Sequence, residues 1–107
     1  MTILWWMLVG HAVCDYPLQG DFLARGKNHK APMPGVPWYQ CLAAHALIQG
    51  GAVALVTGSV ALGVAEVAAH GFIDFGKCQG WYGFNADQAL HVVCKLAWLA
   101  ILGLNHV

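Results

Sequence analysis

Four of the six histidines in this chain carry a carboxylate or an amide one helical turn away. His11 is followed by Asp15, with Gln19 a further turn on. His45 is followed by Gln49. His70 has Glu66 before it and Asp74 after it, and His91 has Asp87 four residues and Gln88 three residues before it. Side chains at this spacing share one face of a helix. Imidazole with carboxylate is a ligand set for zinc, manganese or iron, and such pairs also recur as outer partners that orient a ligand. The candidate ligands are therefore His11, Asp15, His45, His70, Asp74, Asp87 and His91, for one or two divalent ions, zinc first and manganese or iron as alternatives. With a coordination position left open, the metal would make water a nucleophile near neutral pH, and Asp74 or Glu66 would be the catalytic proton acceptor. Lys77, Gln19, Gln88 and Lys95 are the candidates for substrate binding. Lys95, one turn beyond His91, either meets a phosphate or pairs with a carboxylate. Lys77 either anchors an anionic headgroup or snorkels to an interface. The alternative for the whole set is a structural hydrogen-bond network in which the polar groups satisfy one another.

The cysteines add little. Cys14, Cys41, Cys78 and Cys94 stand singly, without the pairing of a zinc ribbon or a secreted disulfide framework. Cys14, Cys41 and Cys94 fall near the histidine layer, where small apolar filler suits them better than ligation.

Positioning these residues requires helices. The chain has 107 residues, of which 59% are hydrophobic and 9% charged. A soluble domain of that size has too much surface for so few charges to cover. A zero net charge with no basic patch excludes a nucleic-acid partner. Four apolar segments follow, at Thr2 to Leu18, Trp38 to Val56, Val60 to Lys77 and Ala86 to Leu104. Pro17 bends or ends the first, and Ser59 in the T-G-S turn is the expected N-cap of the third. The fold expected is all-α, a single four-helix transmembrane bundle over 1–107, with the lipid bilayer as partner and homo-oligomerisation open. Small residues at spacing four, Gly50/Ala54/Gly58 and Ala61/Ala65/Ala69, would let such helices approach closely. The N-terminal apolar run has no basic residue ahead of it and is expected to be retained.

Arg25, Lys27, Lys30 and Lys77 lie in or beside the first and third loops, so the positive-inside rule places those loops in the cytoplasm and both termini outside. At about 1.5 Å per residue, His45 and His70 each sit ~10 Å in from that side, with His11 and His91 near the same level. Ionisable residues inside a membrane face the bundle interior or a water cavity. Trp38, Tyr39, Trp81 and Tyr82 read as interfacial anchors, and His29 and His106 as surface residues.

The ordered motifs H-x3-D-x3-Q (His11, Asp15, Gln19), a lone His45, H-x3-D-x2-K (His70, Asp74, Lys77) and D-Q-x2-H (Asp87, Gln88, His91) span the chain. They resemble a family of small membrane proteins from bacteria and their phages, classed as a domain of unknown function. The resemblance implies a bacterial or phage origin, hence a bacterial inner membrane, and marks these residues as the family's characteristic set. It carries no activity. This chain departs from the pattern in its short first loop and interior cysteines. The polar array is also loosely similar to that of membrane-bound metal-dependent hydrolases.

Two function classes lead. One is a metal-dependent hydrolase of a phosphoester or lipid-linked substrate at the cytoplasmic interface. The other is a proton or ion transport unit, in which paired imidazoles and carboxylates form a relay. Haem ligation is disfavoured by the carboxylates, and a non-catalytic membrane partner with a structural metal completes the set.

Overall fold

The structure, a computed structural model, describes residues 2–105, with side chains described as far as Gly103; His106 lies outside the described residues. Among them the chain is all-α: α1 (Thr2–Asp15), α2 (Gly20–Gly26), α3 (Trp38–Thr57), α4 (Val60–Gln79) and α5 (Phe84–Asn105), with no strand.

Four of these helices correspond to the four apolar segments, with shifted ends. α1 stops at Asp15 rather than Leu18. Pro17 removes a donor and its ring disfavours helical geometry just ahead of it. The fifth helix, α2, falls in the loop expected to be irregular. Its seven residues, G-D-F-L-A-R-G, are too few to display a period in the sequence. Between α3 and α4 the expected turn is realised. Gly58 closes α3 at φ 73°, a left-handed conformation that favours glycine, and the Ser59 hydroxyl accepts from Leu62 N at 3.2 Å.

The four long helices form a ring: α1 packs beside α3, α3 beside α4, α4 beside α5, and α5 beside α1, while α2 docks on α3. The α3–α4 contact is the tightest. A Cβ on Gly63 would lie 2.8 Å from both Ala54 Cβ and the Gly50 carbonyl oxygen, so only hydrogen fits there. The Gly50/Ala54 column expected at a helix contact is used. Its counterpart on α4 is not the Ala61/Ala65/Ala69 column but Gly63 and Val67, and Ala61 is exposed.

The interior has two layers. At the end holding the α3–α4 turn, Val53, Leu62 and Leu102 are buried together, with Ile3 and Trp98 packed on them. Towards the other end the interior is polar, and Lys95, His45, His70, His91, Gln49 and Glu66 are among the largest fully buried side chains. The exterior is the reverse: Leu55 is 86% exposed, Val60 75%, Phe72 66% and Trp5 64%. Two stretches, Trp38–Thr57 and Phe84–Gly103, are long and apolar enough to cross a membrane, and α1 is a shorter apolar helix.

The first and third connections meet at one end. His29 stacks on Phe75 with ring centroids 4.3 Å apart, and its Nε2 lies 3.0 Å from Gln79 Oε1. His29 is therefore half-buried and engaged, not the surface residue the sequence suggests. Tyr39 and Trp81 are exposed around this end as expected of anchors, whereas Trp38 and Tyr82 are partly covered. The Tyr82 hydroxyl donates to the Ile73 carbonyl. Burial, then the nearby Asp87 and Asp74 carboxylates, push its pKa up, so it stays protonated and keeps donating.

Candidate metal centre

Each long helix sends one histidine into the polar layer, and the four rings touch. His70 and His91 stack at 4.0 Å between centroids, His45 lies 4.9 Å from His70, and His11 lies 5.2 Å from His91. The level inferred from helical rise is thus a physical contact. Helical spacing placed each imidazole on the inward face, and the alternating direction of the helices did the rest.

Glu66 lies behind His70. Its Oε2 accepts from His70 Nδ1 at 2.9 Å and from Lys95 Nζ at 2.9 Å, while Oε1 accepts from Trp98 Nε1 at 2.7 Å. With Nδ1 engaged by Glu66, His70 turns its Nε2 to the centre of the bundle. There it meets His45 Nε2 at 3.1 Å. Asp15 Oδ1 stands 3.1 Å from His45 Nε2 and 3.9 Å from His70 Nε2. Asp74 Oδ2 stands 3.4 Å from each imidazole nitrogen. Ligands placed 2.0–2.1 Å from a tetrahedral zinc are separated by roughly 3.3 Å, and these five separations bracket that value.

Asp74 turns its other oxygen the opposite way, 3.1 Å from His91 Nε2, which also faces Asp87 Oδ1 at 3.5 Å. Asp15 is likewise shared between helices. Gln49 donates to its Oδ1 at 3.0 Å and Gln88 to its Oδ2 at 3.0 Å. His11 Nε2 lies 3.4 Å from that same Oδ2 and 3.1 Å from Gln88 Oε1.

Three sets of donor atoms lie close enough for one ion: Asp15, His45 and His70; Glu66, His70 and His91; and Asp74, Asp87 and His91. The first has the best geometry, since in the second Glu66 Oε2 is already engaged by His70 Nδ1 and Lys95. Six of the seven expected ligands belong to one of these sets. His11 does not, and it braces Asp15 from the side.

The expected substrate groups are placed differently. Lys95 takes the carboxylate-pairing option, on Glu66. Gln88 is committed to Asp15 and, at 3.4 Å, to Asp87. Gln19 donates to the Asp15 backbone carbonyl at 2.9 Å. Lys77 stays outside the cluster, its Nζ 4.8 Å above the Phe84 ring. Of the cysteines, Cys14 approaches the Ile48 carbonyl at 3.9 Å, and none joins a donor set among the described residues. Glu66, expected as a proton acceptor, accepts from His70, Lys95 and Trp98 and belongs to the second donor set.

Lys27 was not anticipated. It caps α2 and reaches inward, where Nζ donates to Asp74 Oδ2 at 2.8 Å. A lysine in a polar loop reads as solvated, and no spacing rule links it to a residue 47 positions away. The indole of Trp98 was equally hidden, because its apolar segment reads as lipid-facing.

The polar layer thus holds Asp15, Glu66, Asp74 and Asp87 against Lys27 and Lys95. Counting the ammonium groups alone, two of the four carboxylates lack a lysine partner, in a place where uncompensated charge is costly. Comparison with curated proteins and with solved structures gives no match in either. The sequence profile of the family described as "Protein of unknown function (DUF3307)" matches residues 3–106, and the chain belongs to that family.

Proposed function

We propose that this chain is a multi-pass membrane protein whose four long helices span the bilayer and hold a divalent cation, zinc first, in the core. The observation that carries this reading is the convergence of His45 Nε2, His70 Nε2 and Asp15 Oδ1, three donors close enough for one ion, with Asp74 Oδ2 3.4 Å from both imidazole nitrogens. Two further features support it. A dication would pair with carboxylates of the layer, Asp15 and Asp87, that no lysine reaches. The helices are apolar outwards, with only 33% of the α3 stretch and 22% of the α5 stretch buried inside the bundle. Arg25, Lys30 and Lys77 lie in or beside the two connections that share one end, which the positive-inside rule assigns to the cytoplasm of a bacterial inner membrane.

The activity that suits such a centre is hydrolysis of a phosphoester or lipid-linked substrate. A divalent ion supplies Lewis-acid polarisation of a phosphoryl oxygen. The chain's own residues provide the rest: Glu66 fixes the His70 tautomer, and Gln49 and Gln88 hold Asp15. Elemental analysis of detergent-purified protein tests the reading. At least one equivalent of metal is expected, lost in His70→Ala; a folded wild-type protein that stays metal-free after dialysis against zinc and manganese overturns it.

One observation favours a second reading. Lys27, Asp74, His45, His70, Glu66 and Lys95 form a continuous series of polar contacts across the polar layer, hydrogen-bonded at every link except the 3.4 Å approach of Asp74 to His45, the material of a proton relay. Proteoliposomes under a pH gradient discriminate: proton flux abolished by His70→Ala supports the relay, and its absence removes it.

A further inference from the structure

A second carboxylate–imidazole set lies beside the central one. Asp74 Oδ1 and Asp87 Oδ1 both face His91 Nε2, at 3.1 and 3.5 Å, and one donor atom from each residue falls within 4.8 Å of the others. His91 Nε2 thus stands between two carboxylates but hydrogen-bonds only that of Asp74. Asp87 is only 2% exposed, and its Oδ1 is buried without a hydrogen-bond partner. Gln88 serves the other oxygen, Oδ2, at 3.4 Å. Lys27 lies on Asp74 Oδ2, not between the two acids. A buried acceptor left bare costs on the order of 1–3 kcal/mol, and a cation between Asp74, Asp87 and His91 would remove that cost while relieving the like-charge pair.

We infer that Asp74, Asp87 and His91 form a second divalent-cation site, joined to the central one through the two oxygens of Asp74, so that the bundle holds a dinuclear centre. This rests on the proposed central site. Asp74 is suited to bridging because its oxygens point to different donor pairs, Oδ2 to His45 and His70 and Oδ1 to His91. Two oxygen donors and one nitrogen make the second site harder than the first, and manganese competes better with zinc there. With both Asp74 oxygens on metal, Lys27 is displaced. Two dications and Lys95 against four carboxylates then leave one positive charge, which selects an anionic substrate group such as a phosphoester.

The test is metal stoichiometry in detergent-purified protein dialysed against zinc or manganese, with manganese paramagnetic resonance as an independent readout. Two ions per chain and a spin-coupled manganese signal are expected. Asp87→Asn and, separately, His91→Gln should each drop the count to one and abolish the coupling, with helicity by circular dichroism unchanged. His45→Ala should lower the count by removing the central ion. One ion per chain without coupling in the wild type overturns the second site and leaves the central site standing. Two ions retained in a folded Asp87→Asn also overturn it. No ion at all overturns both.

Discussion

Lys27 and Asp74 meet at 2.8 Å across the mouth of the polar layer, and the oxygen involved is the one that faces His45 and His70. An ammonium therefore occupies the position from which Asp74 would complete a tetrahedral site. Removing it should favour the metal twice over, by freeing a ligand and by deleting a nearby positive charge. Lys27→Met is expected to tighten zinc binding by about tenfold or more, a decade being ~1.4 kcal/mol. Competition with a chelating dye measures this, and unchanged or weaker affinity would show that Lys27 plays no part in occupancy.

The Glu66–Lys95 pair invites a double-mutant cycle. Both side chains are sealed from solvent. Truncating one leaves the other charge buried alone, which costs about 3–5 kcal/mol in comparable sites. Lys95→Met should lower the unfolding midpoint in detergent sharply, and Lys95→Met with Glu66→Gln should recover much of the loss. Equal and additive losses would mean that the two act independently.

Glu66→Gln isolates the orienting role when made in the Lys95→Met background. Loss of a carboxylate that holds a ligating imidazole commonly weakens metal affinity by roughly 10–100-fold. The expected result is weaker zinc binding with unchanged stoichiometry at saturating metal. A change in stoichiometry instead would make Glu66 a direct ligand.

Acidification should release the metal. Imidazole and carboxylate ligands bind only in their deprotonated forms, so each proton taken up competes with the ion. Affinity is therefore expected to be highest at neutral to mildly alkaline pH and to fall as pH drops, read by zinc titration at fixed ionic strength. A flat profile would point to ligands other than these.

The glycine contact between α3 and α4 gives a prediction independent of any metal. A Cβ at Gly63 would sit 2.8 Å from the Gly50 carbonyl oxygen, a backbone atom that cannot swing aside. Gly63→Val should destabilise by about 1–3 kcal/mol or more through overpacking, seen as a lower thermal midpoint. Gly51→Val, where nothing lies within 4 Å, should not.

The histidine layer was legible because its cues are local: a polar partner four residues away fixes the face, and distance from a loop fixes the level. Ser59 and the Gly50/Ala54 column were legible for the same reason. What escaped depends on contacts between distant segments. Lys27 reaches Asp74 from a loop, Trp98 turns its N–H to Glu66, and His29 finds Phe75 through the meeting of two connections. α2 escaped because seven residues carry no period. Glu66 and Asp74 stand at equal spacing from His70, and the sequence does not say which faces the centre; the ring's two nitrogens decide, Nδ1 going to Glu66 and Nε2 to Asp74.

The plug of Val53, Leu62 and Leu102 has a consequence for direction. It sets aliphatic side chains between the imidazoles and the α3–α4 turn. An ion approaching from the turn would shed its water among hydrocarbon, whereas from the side where Lys27 meets Asp74 it finds charged groups at once.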